Sequence, residues 1–302
     1  MTADAADLPH APPAGGQGRR YLVVLGVVLV WMLGGTLLQL PGNAYLIAGV
    51  PLLLVFQLFV ARRPLTEIWF RKPQGSPLPA WGWIAAAAFM AFPAYSLASE
   101  WGSSPWDVRL WYVASAGGAV PLAHSLARFN RTSVRPLAVC FATAGALGIL
   151  FVAIPTYLAH HSAAVAGLAG TSHTPSAGFR PRFAEFLRSL LLYVPVVFVL
   201  EEVFFRGGLD SYLHREGDDN PWLSAAFVSA LWGFWHLPFL IPGLRHSASP
   251  VAAALFLAIP LMSIHCLVGI PLSFAWRKGG LLFLPAVVHA FVDAVRNALQ
   301  LH

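Results

Sequence analysis

The chain has 302 residues, of which 57% are hydrophobic and 11% are charged. A soluble domain has about 25% charged residues, and a mean hydropathy of +0.65 excludes an ordinary water-soluble protein. The formal net charge of +6 comes from basic residues that lie between apolar runs instead of forming one basic face, so we expect no nucleic-acid partner. Cys140 and Cys266 lie far apart inside apolar runs, which predicts free thiols and no disulfide framework.

Apolar runs follow one another along almost the whole chain. They fall at residues 21–40, 44–61, 81–98, 111–127, 136–159, 186–213, 222–241, 251–276 and 281–301. Each is long enough to cross the hydrocarbon core as a helix, which satisfies its own backbone hydrogen bonds in lipid. The weakest is 111–127, because Gly117, Gly118 and Pro121 interrupt it. The sequence therefore predicts an all-α, polytopic transmembrane bundle of about eight to nine helices, with the lipid bilayer as its surroundings.

Basic linkers between alternate runs predict the orientation. They contain Arg19, Arg20, Arg62, Arg63, Arg71, Lys72, Arg128, Arg131, Arg135, Arg277 and Lys278. The positive-inside rule places these linkers, and the N-terminus, in the cytoplasm. The Arg-rich, Ala-rich composition is typical of bacteria, so we expect a multi-pass protein of the bacterial inner (plasma) membrane. We divide the chain into a disordered cytoplasmic tail (1–18), N-terminal transmembrane helices (19–159), a non-cytoplasmic loop (160–182) and a C-terminal transmembrane core (183–302).

Two adjacent carboxylates, Glu201 and Glu202, lie inside the apolar run 186–213. An ionisable side chain inside a spanning helix costs roughly 2.5 to 3.5 kcal/mol, so those that persist usually face a cavity or a partner. Glu202, Arg206 and Asp210 recur every four residues and are predicted to form a ladder of opposite charges. Glu201 has no such partner in its own helix and is our candidate for activating water. The structural alternative is that both glutamates pair with arginines of neighbouring helices.

Three further polar residues lie at matching depth on neighbouring helices. If the chain turns near residues 215–222, Glu201 and His236 each lie about 20 Å along antiparallel helices and can meet. His289 and Asp293 share one face of the last helix, about 15 Å from its predicted start, at a depth that we expect water to reach from the cytoplasm. An isolated pair of this kind more often closes a helix contact, but its convergence with Glu201 and His236 favours a site. His265 is expected to be a satisfied packing histidine.

These residues resemble the signatures of the CPBP intramembrane protease family, which includes the type II CAAX prenyl endopeptidases and the Abi proteins. The family's Glu-Glu-x-x-x-Arg corresponds to residues 201–206, its Phe-x-x-x-His to Trp232 through His236, and its His-x-x-x-Asn/Asp to His289 through Asp293. The resemblance covers roughly residues 186–300. Trp232 stands where the family usually has phenylalanine.

The resemblance implies a CAAX-type intramembrane endopeptidase of the metallo- or glutamate type, acting on a peptide or membrane-protein substrate. Its implied catalytic set is Glu201, Glu202, His236, His289 and Asp293, with Glu201 and His236 activating water and His289 and Asp293 stabilising the oxyanion. Glu201, His236, His289 and Asp293 are also the expected ligands if a divalent metal such as zinc takes part, and a metal-independent site is the other possibility. The alternative function is a non-catalytic membrane immunity or scaffold protein of the same fold. A transporter is ranked last, because the ionisable groups lie in one half of the chain only.

Overall fold

The computed structural model describes residues 16–71, 78–161, 178–214, 220–239 and 249–300. Most of the predicted tail and most of the predicted loop at 160–182 lie outside these ranges. In the described residues the chain forms nine long helices. They are α1 (Gln17–Leu37), α2 (Gly42–Ala61), α3 (Ala80–Glu100), α4 (Trp106–Leu126), α5 (Arg131–Leu158), α6 (Phe179–Leu213), α7 (Pro221–Trp235), α8 (Pro250–Gly279) and α9 (Phe283–Gln300).

The predicted all-α transmembrane bundle is confirmed. Six of the described helices, α1, α2, α3, α5, α6 and α8, are long and apolar enough to cross a membrane by length and composition. Large apolar side chains such as Leu22, Ile84 and Phe256 are about 70% or more exposed. A large set of such side chains on long apolar helices is favourable where the surrounding medium is itself apolar, as lipid is. The chain is therefore a multi-pass membrane protein.

Helix α6 lies at the centre of the bundle and contacts α2, α3, α4, α7, α8 and α9. The weakest predicted run forms the uninterrupted helix α4, which packs against α6 at Gly118. A Cβ atom on Gly118 would lie 2.7 Å from the carbonyl oxygen of Pro195. The glycine that weakened the sequence signal thus lets two backbones approach closely, as small residues do in membrane bundles.

The second half of α6 is wound more widely than an α-helix. Over Phe198–Asp210 its backbone follows the i→i+5 hydrogen-bond pattern of a π-helix. Such stretches are usually single turns inside α-helices and are frequent at functional sites. Glu201, Glu202, Arg206 and Asp210 all lie within this stretch.

The two ends of the bundle differ in charge. One end, which we call the basic end, holds the linkers at 62–71, 127–130 and 280–282, and there Arg71 N–H donates to the Gly280 carbonyl and Leu282 N–H to the Trp69 carbonyl. The other end, which we call the opposite end, holds the start of α2 and α6 and the end of α9. Side-chain contacts join the helices there, including Asn43 to Asp107 at 3.1 Å and Asn297 to Ser189 at 3.3 Å.

Candidate active site

Glu201 and Glu202 are neighbours on α6 but face different surroundings. Glu202 is fully buried, whereas Glu201 is partly exposed and lines a cavity of about 650 Å³. Adjacent side chains of a helix point about 100° apart, so the two carboxylates cannot share one face. Glu201 is therefore the carboxylate of this pair that faces open space.

Trp232 of α7 holds the carboxylate of Glu201. Its indole Nε1–H donates a hydrogen bond of 2.8 Å to Glu201 Oε2. The guanidinium carbon of Arg206 lies 4.5 Å from the centroid of the indole ring, in a cation–π contact. From the sequence, Trp232 is only an aromatic residue at a position where the family usually has phenylalanine. The structure adds a polar role that phenylalanine cannot perform.

Two histidines stand side by side in the cavity wall. His236, at the end of α7, places Nδ1 at 2.8 Å from the Trp232 carbonyl, and His265 of α8 places Nδ1 at 2.7 Å from the Leu261 carbonyl. A carbonyl oxygen only accepts, so each Nδ1 must carry the proton and each neutral ring keeps its lone pair on Nε2. The ring centroids are 4.5 Å apart. His265, expected to be a packing residue, thus borders the same cavity as His236.

His289 of α9 contacts a carboxylate on α6 and a second carboxylate on its own helix. Its Nδ1 lies 2.8 Å from Glu202 Oε1, and its Nε2 lies 3.6 Å from Asp293 Oδ2. Asp293 is also paired with Arg296 at 3.1 Å. Glu202 is absent from the cavity lining within the described residues, so it can act on the cavity only through His289.

The predicted ladder of charges on α6 is wrong for its second pair, Arg206 and Asp210. Arg206 Nε lies 3.6 Å from Glu202, but Asp210 pairs with Arg277 of α8, which also donates at 3.0 Å to Ser224. The difference comes from α8, which brings the Arg277 guanidinium to Asp210, a partner that spacing within α6 cannot reveal. Asp210 thus joins α6 to α8.

The cavity opens toward a different end from the one that the sequence suggested. Its wall includes Asn43, Val108, Glu185, Arg188 and Asn297, all near the opposite end of the bundle. We expected water to enter from the cytoplasmic side, which the basic linkers mark. Helix depth alone cannot reveal which end is packed, because that depends on the side chains that the neighbouring helices supply.

Comparison with family models finds one match in this part of the chain. Residues 183–295 match the family described as type II CAAX prenyl endopeptidase Rce1-like. The C-terminal part of the chain belongs to this CAAX protease family. Neither the curated proteins nor the solved structures yield a match to the chain.

The Rce1-like match begins within α6 and ends within α9. It therefore contains every candidate site residue at the cavity, whereas α1–α5, of which α2, α4 and α5 also contribute to the cavity wall, lie before it. These residues are Glu201, Trp232, His236, His265, His289 and Asp293. The matched segment has the fold of an intramembrane CAAX-type protease. In the Rce1-like motif at the end of α7, the phenylalanine position is occupied by Trp232, the residue that hydrogen-bonds Glu201.

The four polar residues predicted as zinc ligands do not form a metal site as they stand. Across the described ranges, no group of three or more His, Cys, Asp or Glu side chains is arranged to hold a metal ion. Zinc needs ligand atoms converging at about 2.0 to 2.3 Å. Here both ring nitrogens of His289 face carboxylates and Glu201 is engaged by Trp232. The residues therefore fit a metal poorly, and no chemical step below is routed through one.

Proposed function

We propose that the chain is an intramembrane endopeptidase that hydrolyses peptide bonds of membrane-associated or lipid-anchored peptides with an activated water. The observation that carries the proposal is the placement of Glu201, held by the Trp232 N–H, in one cavity with the unprotonated Nε2 of His236. A carboxylate and an imidazole at a common cavity are the groups that general acid–base catalysis uses.

In the proposed reaction Glu201 takes a proton from water, and the water oxygen forms a bond to the peptide carbonyl carbon. The carbonyl oxygen then carries the negative charge, and the protonated ring of His289 donates Nε2–H to it while Nδ1–H remains bonded to Glu202. Preorganised donors of this kind stabilise the transition state because they need no rearrangement. Asp293 Oδ2 lies 3.6 Å from the same Nε2, beyond hydrogen-bond distance, so the Nε2–H is left for the carbonyl oxygen.

Collapse of the tetrahedral intermediate breaks the C–N bond. The proton held by Glu201 passes to the leaving nitrogen, which becomes an amine, and the other product is a carboxylic acid. His236 Nε2 accepts the acidic proton of that product and releases it to water, so atoms and charges balance without any cofactor. We propose that Glu202 is a positioning residue, since it contacts His289 and Arg206 and no cavity space.

The test compares the wild type with Glu201→Gln on a library of lipid-anchored and transmembrane peptides, read by mass spectrometry. The amide oxygen of glutamine can still accept from Trp232 but cannot take a proton from water, so folding is retained while cleavage falls by roughly 10²- to 10⁴-fold. A chelator is expected to leave wild-type cleavage unchanged, and chelator-sensitive cleavage would instead favour a metalloprotease. A different result would favour the immunity or scaffold alternative. In that result neither protein cleaves any peptide of the library, and Glu201→Gln still functions in cells as the wild type does.

A further inference from the structure

The direction in which the cavity opens can be compared with the charge of the two bundle ends. Connections at the basic end carry Arg62, Arg63 and Arg71, and the end of α8 and the start of α1 add further basic residues there. At the opposite end the described cations are set against almost as many acidic residues, namely Arg109, Arg180, Arg182, Arg188 and Arg296 against Glu100, Asp107, Glu185 and Asp293. Arg188 lies 3.5 Å from Glu185, and Arg296 lies 3.1 Å from Asp293. The positive-inside rule therefore makes the basic end cytoplasmic and the opposite end extracytoplasmic.

Between the cavity and the basic end lies a packed layer. Arg206 and Asp210 are both 0% exposed, and Trp276, also fully buried, donates from Nε1 to Ser211 Oγ at 3.0 Å. Gly207 packs so tightly against the 62–71 linker that a Cβ there would overlap the Ile68 carbonyl. In the described part of the chain, this layer leaves no room for a peptide to approach from the basic end.

The route from the opposite end has polar walls at its mouth and apolar walls within. Arg188 lies at the mouth, and Glu201 is thirteen positions further along α6, a distance of about 20 Å at 1.5 Å per residue. Leu192, Val196 and Leu200 line the wall between them. An extended chain advances about 3.3 to 3.6 Å per residue, so about six unfolded residues are needed to bring a peptide bond from the mouth to Glu201.

We propose that the site takes extracytoplasmic substrates, namely an extended tail or loop of at least about six residues that belongs to a secreted or membrane-anchored protein. The part of this inference that concerns substrates rests on the proposed hydrolase function. The direction of access rests on the cavity and the charge distribution alone. It separates this chain from any enzyme that processes cytoplasmic C-terminal tails.

The direction of access is tested by thiol labelling in a background with Cys140→Ala and Cys266→Ala. Single cysteines are placed at Ser103, which is exposed at the opposite end, at Val108 in the cavity wall, and at Thr66, which is exposed at the basic end. A membrane-impermeant maleimide added to intact cells should label Ser103→Cys and Val108→Cys, and should label Thr66→Cys only after permeabilisation. The reverse pattern would overturn the proposal.

The substrate class is tested separately with wild-type protein in right-side-out and inside-out vesicles. Soluble peptides whose cleavage site lies three or eight residues from a folded domain are added to the outside. Right-side-out vesicles should cleave only the eight-residue design, and preferential cleavage by inside-out vesicles would refute the inference. Cleavage in neither preparation, with the expected labelling, would refute the hydrolase while supporting the outward opening.

Discussion

Replacement of Trp232 by phenylalanine isolates the hydrogen bond that holds Glu201. The substitution restores the residue usual in the family, keeps an aromatic ring at the position, and removes the Nε1–H that lies 2.8 Å from Glu201 Oε2. A hydrogen bond to a charged group contributes about 1.5 to 3 kcal/mol. Since 1.36 kcal/mol corresponds to a factor of ten in rate, kcat should fall by about ten- to a hundredfold.

The chain offers a matched control in Trp235, three residues further along α7. It is 0% exposed, and within the described residues its indole N–H has no hydrogen-bond partner. Trp235→Phe therefore makes the same change in volume without loosening Glu201. Any loss of packing should lower the melting temperature of both variants in detergent to a comparable degree.

The assay is the rate of cleavage of the best peptide from the library, measured as kcat and KM separately. Trp232→Phe should lower kcat with little change in KM, because the indole orients the carboxylate and its N–H is directed at Glu201, not at open cavity space. Equal losses in the two tryptophan variants would show that packing alone matters. Unchanged kcat in Trp232→Phe would refute a role for the hydrogen bond.

Two further predictions concern the buried interior. Glu202→Gln leaves the fully buried Arg206 without its ion-pair partner, and breaking such a pair should cost about 3 to 5 kcal/mol, seen as a large drop in thermal stability in detergent. An unchanged melting temperature would contradict the view that this pair is integral to the fold. Gly207→Ala should destabilise the protein by about 1 to 3 kcal/mol, because the new Cβ overlaps the Ile68 carbonyl. The control Gly26→Ala should not destabilise it, since nothing lies within 4 Å of a Cβ at that position. Equal melting temperatures of the two variants would count against the close contact at Gly207.

Sequence patterns were sufficient to predict the helices because lipid leaves the backbone few choices. Even the run broken by Gly117, Gly118 and Pro121 forms one continuous helix, since its backbone groups must be satisfied within the segment. Boundaries were less predictable. Helix α6 begins at Phe179, seven residues before the apolar run that marks it, because its first turns carry charged residues, which a run of apolar residues leaves out.

The site was predictable in depth but not in detail. Counting residues from the turns brought Glu201 and His236 to the same level, and both line one cavity in the structure. What the spacing could not show is which face each helix turns inward. The contact of His265 with His236 and the hydrogen bond from Trp232 depend on the approach of α7 to α8, where Gly233 lies against the backbone of Leu261. No local pattern encodes that approach.

Glu201 lies in the widely wound stretch Phe198–Asp210, and the direction of its side chain depends on the number of residues that precede it in α6. Removing a single residue from the α-helical part before Phe198 would rotate the following side chains by about 100° relative to the preceding part of the helix. The carboxylate now facing the cavity would turn toward the packed layer, while every residue type stayed the same. Substitutions at lipid-facing positions of this helix should thus be tolerated in evolution far more often than insertions or deletions within it.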